Sequence, residues 1–165
     1  MGLTIGAKQY YNLIRKEQSY SPSAQEEALM LLYYLESRNV HVVVDEQYIL
    51  DERGVKKDRV IMCIVWWIPE QIRMARRFVS DMLAETDATF NTNEKRLLLQ
   101  CFVGIDNTNS TFQFLQVFST AESARNIRFI LQVLQDYFFY DCPGFAVLAG
   151  DFGSGLSAGF AQKAA

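Results

Sequence analysis

The chain has 165 residues, of which 50% are hydrophobic, 13% aromatic and 21% charged, with sixteen Lys+Arg against nineteen Asp+Glu for a net charge of −3. That length suits one globular domain. The apolar share excludes a disordered chain, and the charge excludes a strongly basic nucleic-acid coat while leaving room for a local basic groove. Three cysteines, Cys63, Cys101 and Cys142, are odd in number and far apart, and His41 is the single histidine. Without a CxxC pair, neither a zinc finger nor a disulfide framework is expected. Each cysteine lies in or beside an apolar run, so the expectation is buried free thiols in a reducing, intracellular compartment. No charged segment followed by an apolar one opens the chain, and apolar runs such as 60–68 are too short to span a bilayer, so no secretory signal and no membrane partner are expected.

In chain order, Thr4 can cap a helix over about 5–17, with Ile5, Tyr10, Leu13 and Ile14 at roughly helical spacing. Pro22 and its serines break it. Ser23 then precedes a second helix over 24–37, with Glu26 at the capping-box position and Ala28, Leu31, Leu32 and Leu35 on one face. The period changes at Val40. Residues 40–44 and 48–50 are β-rich, Asp51-Glu52-Arg53-Gly54 is a polar turn, and 60–68 is β-branched and aromatic, which together predict a hairpin. Pro69 opens a short helix expected over 70–82.

Beyond Leu83 the pattern predicts three strands, 85–91, 97–105 and 111–118, joined by polar turns at 91–93 and 106–110. Ser119 or Thr120 is the expected cap of a helix running to about Phe139, with Ile127, Ile130, Leu131 and Leu134 at helical spacing. Asp141-Cys142-Pro143-Gly144 ends it. A short buried strand is expected over 145–149, a turn at 150–153, and a terminal helix over 154–164.

Three strands in a meander, a helix, a parallel fourth strand and a helix make the order of a ribonuclease H-like α/β core. The expected division is 1–68, an N-terminal helical and β-hairpin extension, and 69–165, a partial core. In that topology the fourth strand lies beside the first. Asp87, in the first, and Asp151, just after the fourth, would then converge. Paired carboxylates are hard oxygen ligands suited to Mg²⁺ or Mn²⁺, ions that can drive phosphodiester hydrolysis or strand transfer.

Glu85-Thr86-Asp87-Ala88-Thr89-Phe90-Asn91-Thr92-Asn93 resembles the first-aspartate motif of Mutator-like (MULE) transposases, roughly Asp-x-Thr-[Phe/Tyr]-x-Thr-Asn. Val103-Gly104-Ile105-Asp106 is similar to that family's following strand end, and Ala121-Glu122-Ser123-Ala124-Arg125-Asn126 to the acidic start of its next helix. Leu148-Ala149-Gly150-Asp151-Phe152-Gly153-Ser154-Gly155-Leu156 resembles the second-aspartate motif. The resemblance covers about 60–162. It implies a ribonuclease H-like fold, metal-dependent cleavage and transfer of DNA strands, and a nuclear location. Asp87 and Asp151 match the first two acids of the family's Asp-Asp-Glu triad. The third lies in that family on a helix well beyond the second. Here no acidic residue follows Asp151 in the fourteen remaining positions, and the fifth strand and the family's zinc-dependent DNA-binding module have no counterpart. The expectation is therefore a fragment, relic or domesticated remnant, incomplete or inactive as this chain. In ribonuclease H itself a glutamate on the first core helix helps hold the metals, so Glu122 could complete a cluster of catalytic carboxylates with Asp87 and Asp151, a metal offsetting their mutual repulsion.

Each candidate also has a structural reading. Both aspartates can simply cap or turn after strands. Glu122 suits the first turn of a helix through the dipole alone. Arg73 and Arg77 share a helix face and, with Asn91 and Asn93, are the candidate nucleic-acid contacts. The arginines equally suit a solvated face paired with Glu70 and Asp81. His41 reads as a lone core or edge histidine. Trp66 and Trp67 could stack on bases, yet neighbours on a strand point opposite ways, so core packing is expected of at least one. Gly150, Gly153 and Gly155 follow no phosphate-loop spacing. Phe112, Phe114, Phe118, Phe138 and Phe139 read as core or interface residues. The alternative function is a non-catalytic binding or assembly module, in which the sheet edge left open by a missing fifth strand pairs with a second copy or a partner chain.

Overall fold

The computed structural model describes residues 23–89, 97–120 and 123–150. The helices expected over 5–17 and 154–164 lie outside those residues. Ser23 caps helix α1, Ala24–Glu36, and the predicted capping box forms, the serine hydroxyl accepting from the Glu26 N–H and the Glu26 carboxylate from the Ser23 N–H at 2.6 Å. Strands β1, His41–Leu50, and β2, Lys56–Trp67, form the hairpin. β1 is continuous where two pieces were expected, because register shifts at Asp45/Glu46 and Ile49/Leu50 absorb its polar interruption. In the turn the Asp51 carboxylate accepts from the Arg53 and Val55 N–H groups at 2.8 Å, and Gly54 takes φ +75°.

Helix α2, Pro69–Phe78, ends four residues before the sequence suggests. Its periodicity runs on through Val79 and Met82, but tertiary hydrogen bonds take over the turn. Ser80 Oγ donates to the Pro143 carbonyl at 2.7 Å, the Asp81 N–H donates to that of Gly144 at 2.7 Å, and Asp81 sits at φ +57°. Strands β3, Leu83–Thr89, β4, Leu98–Ile105, and β5, Thr111–Ser119, are the expected meander. Ser119 does not cap the next helix, as it is still in the ladder opposite Cys63 and Leu98. The cap is Ser123, whose hydroxyl accepts from the Asn126 N–H, and it opens α3, Ala124–Val133. A π-helical turn, Leu134–Phe138, continues α3, and its extra residue brings the consecutive Phe138 and Phe139 both into the core. Strand β6 is Val147–Gly150.

All six strands form one mixed α/β sheet in the order β1-β2-β5-β4-β3-β6, antiparallel except for β3 with β6. The hairpin joins the meander directly, β2 pairing with β5 from Cys63↔Ser119 to Trp66↔Gln116, so the sheet runs across position 69 without a break. Alternation sends Trp67 to one face and Trp66 to the other. On the first, α2, α3 and the π turn bury Cys63, Val65, Trp67, Phe102, Phe114 and Phe138. On the second, α1 packs Ala28, Leu32 and Leu35 onto Ile61 and Ile64. Of the three cysteines expected to be buried, Cys63 is, while Cys101 and Cys142 are half-buried; burial pushes the Cys63 thiol well above its ordinary range, which leaves it inert.

Candidate functional site

Two short strands build the candidate site. β6 lies parallel to β3 in the register Leu83↔Val147, Ala84↔Leu148, Glu85↔Ala149 and Thr86↔Gly150. Asp87 follows Thr86 directly in β3 and pairs across to Cys101 of β4. Gly150, the residue before Asp151, therefore ends level with the residue before Asp87. Asp151 itself, with Asn91, Asn93 and Glu122, lies outside the described residues. A buried polar contact fixes β3 against β4 at this level, Gln100 Nε2 donating to Thr86 Oγ1 at 2.9 Å. Among the described residues no group of three or more His, Cys, Asp or Glu side chains could hold a metal ion.

The chain on both sides of Glu122 is anchored to β2. The Thr120 N–H donates to the Met62 carbonyl at 3.1 Å, and Asn126, 1% exposed, directs its Nδ2 to the same carbonyl at 3.5 Å. One residue earlier, Arg125 holds Asp45 of β1 with two hydrogen bonds of 2.9 Å. In the sheet order β2 is separated from β3 by β5 and β4. Three strand spacings amount to about 14 Å.

The glycine of the Val103-Gly104-Ile105-Asp106 segment has a packing role. A Cβ at Gly104 would stand 2.5 Å from a Val79 methyl and 2.7 Å from the Phe112 ring, so its absence lets the end of α2 approach β4. Asp106 is a turn former. Its carboxylate accepts from the Thr108 hydroxyl at 2.6 Å and from the Thr108 and Ser110 N–H groups at 2.8 and 3.0 Å. These bonds, the Thr108 hydroxyl first, hold its pKa below the ordinary value.

On α2, Arg73 is exposed and ion-paired with Glu70 one turn earlier. Arg77 is exposed, with its guanidinium 5.0 Å from the Phe78 ring centre. The arginine between them serves the fold. Arg76 donates to the Phe138 carbonyl at 2.7 Å and to Asp141 at 2.5 Å, and lies over the Tyr140 ring, so it clasps α2 to the chain beyond α3. Neither that clasp nor the Asp45–Arg125 bridge is visible in the sequence, since each joins residues more than sixty positions apart. His41 stacks on Trp67 with ring centres 5.6 Å apart, and the buried Trp67 indole N–H finds no acceptor among the described residues.

No helix among the described residues is long and apolar enough to cross a membrane. Comparison with protein-family models, curated proteins and solved structures gives no match.

Proposed function

We propose that this chain is a ribonuclease H-like domain of Mutator-like transposase ancestry, in which Asp87 and Asp151 hold a Mg²⁺ or Mn²⁺ ion at the end of the β3–β6 pair. The observation that carries the reading is the parallel Thr86↔Gly150 register, with an aspartate next in sequence after each of these two residues. The strand order β5-β4-β3-β6 supports it further, being the order expected of a meander whose fourth strand returns beside the first. An all-carboxylate donor set suits a hard divalent ion. Such an ion, when bound, activates an attacking oxygen and neutralises charge on a phosphodiester. The two aspartates orient it, and Arg73 and Arg77, with Asn91 and Asn93, supply contacts to the phosphate backbone of DNA. The anchoring of Thr120 and Asn126 at β2 favours Glu122 as a helix-start acid over a metal ligand. The reading assigns metal and DNA binding to these residues, with strand cleavage dependent on a further acid beside the two aspartates. A nuclear setting goes with this ancestry.

The test is Mn²⁺ titration by calorimetry on the wild type, Asp87→Asn and Asp151→Asn, with a nicking assay on single-stranded and duplex DNA. The expected result is one binding event that either substitution abolishes. Identical curves for all three proteins would remove the metal site. The second reading, a non-catalytic binding or assembly module, is favoured by β6, which has four residues and is outermost in the sheet. Retained DNA or self-association in the double variant would select it.

A further inference from the structure

The β1–β2 hairpin is longer than the sheet that carries it. β2 pairs with β5 only from Cys63 to Trp66, and residues 56–62 run on past the last pair with β1 as their sole strand partner among the described residues. That makes an arm of about 20 Å. Its base is held on both strands. Gln25 of α1 accepts from the Ile61 N–H at 2.8 Å and donates to the Ile61 carbonyl at 3.0 Å, and Arg125 of α3 grips Asp45. Beyond that base, residues 47–50 and 56–59 are all exposed. Strand polarity sets the direction of the arm. β2 starts at the hairpin turn, successive strands from β2 through β5 and β4 to β3 are antiparallel, and β6 is parallel to β3. The arm therefore extends past the edge of the sheet at which Thr89 and Gly150 close β3 and β6.

Register sets the facing of the arm. Asp87 pairs with Cys101, Cys101 with Gln116 and Gln116 with Trp66, a second-face residue, so Asp87 holds a second-face position. Glu46 pairs with Ile61, also of the second face, and alternation puts the next such pair, Tyr48 and Arg59, there too. The charges of the arm are sorted by face. On the second, Arg59 is ion-paired with Glu46 at 3.4 Å, the Tyr48 hydroxyl donates to the same carboxylate, and Lys56 Nζ lies 3.8 Å from the Tyr48 ring centre. Lys57, skipped by the register shift, adds a cation at the bulge. Asp58 pairs with Ile49 on the first face, and the Asp51 carboxylate is engaged by its own turn.

We propose that this arm is a clamp for duplex DNA, in which Lys56, Lys57 and Arg59 bind the phosphates of the strand opposite to the one held at the end of the β3–β6 pair. The inference rests on the proposed function and extends it from a metal site to a double-stranded substrate. β2 stands about 14 Å from β3, close to the major-groove width of about 12 Å, so the site and the arm can meet the backbones on the two walls of one groove. Lysine, arginine and tyrosine donors are the groups that position a phosphate backbone. A protein partner is favoured less, because Ile49 pairs with Asp58 and Leu50 with Lys56, on opposite faces, and they form no continuous apolar patch.

The experiment measures binding of the full chain to a short labelled duplex and to a single strand of the same sequence over a range of salt, with Mn²⁺ calorimetry in parallel. Lys56→Gln/Lys57→Gln, both at exposed positions, is expected to weaken duplex binding about tenfold and to lower the slope of log affinity against log salt by about 2. Single-strand and Mn²⁺ binding should stay as in the wild type. Glu46→Gln, which frees Arg59, should tighten duplex binding about threefold, whereas Asp58→Asn, the same change of charge on the first face, should leave it unchanged. Equal tightening by both would show that only net charge is felt and would overturn the proposal. Unchanged duplex affinity in the lysine variant, with wild-type Mn²⁺ binding, would overturn it and leave the proposed function standing. Equal losses on duplex and single strand would overturn the assignment to the opposite strand. Unchanged DNA affinity with loss of self-association in the lysine variant would overturn it by giving the arm to a second copy. A wild type that binds neither Mn²⁺ nor DNA would remove the inference together with the reading beneath it.

Discussion

The two faces of the sheet are built differently. The first is packed by two helices and a π turn around aromatic residues, with Trp67, Phe114, Phe138 and Phe139 almost wholly buried and in ring contact through Phe138. The second is packed by one described helix whose buried apolar residues are aliphatic, Ala28, Leu32 and Leu35. Side chains such as Phe138 bring larger areas out of water per residue than those of α1, so the first face should carry most of the stability.

The comparison can be broken by substitution. Phe138→Ala should cost about 3–5 kcal/mol in urea unfolding, and Leu32→Ala should fall toward the lower end of about 2–5 kcal/mol. Equal losses would show that α1 holds the fold as strongly as the aromatic face. Next in size, Gly104→Ala should cost about 1–3 kcal/mol by forcing Val79 and Phe112 away from β4. Combining it with Val79→Ala should cost less than the sum of the two single losses, because the clash is shared. Additive losses would show that the close approach of α2 is unimportant. On the second face, Ser23→Ala removes the α1 cap and should cost about 1 kcal/mol, read in the same unfolding assay.

The smallest effect is a pH dependence outside both faces. Asp106 has a folded-state pKa below its ordinary value of 3.8, so its stabilising contribution is complete above that value. It is lost as pH falls below 3.8 and through the lowered folded value. Asp106→Asn should therefore flatten the acid limb of the stability curve and leave its shape near neutrality unchanged. An unaltered acid limb would mean that the turn does not depend on the charge.

Local features of the fold were legible in the sequence and long-range ones were not. The Ser23–Glu26 capping box and the Asp51–Gly54 turn depend on residues within a few positions of one another, and each formed. The end of α2 and the start of α3 were misplaced because partners far away decide them. Pro143 and Gly144 stop the first, and β2 holds Ser119 in the ladder before the second can begin. In the same way, the apolar repeat through Leu134 is helical and gives no sign of the widened turn that follows it. At the candidate site, element order suggested that the strand bearing Asp87 lies beside the strand preceding Asp151, and β3 and β6 are neighbours. The pairing of Arg73 with Glu70 follows from their spacing on one helix, whereas the role of Arg76 depends on Phe138, Tyr140 and Asp141, which no local pattern connects to it.

Trp66 and Trp67 give the molecule two optical reporters in adjacent positions. Trp67 is buried at 1% exposure against Phe138 and Tyr137, and its indole N–H has no described acceptor, so its emission should lie far to the blue. Trp66 belongs to the opposite face with Phe118 and is half-buried, so its emission should lie further to the red. Two single-tryptophan proteins, Trp66→Phe and Trp67→Phe, would each light one layer of the same sheet. Following both through one denaturant series would reveal whether the layers come apart together or in turn. His41, whose ring stacks on that of Trp67, ties this reporter to the start of β1.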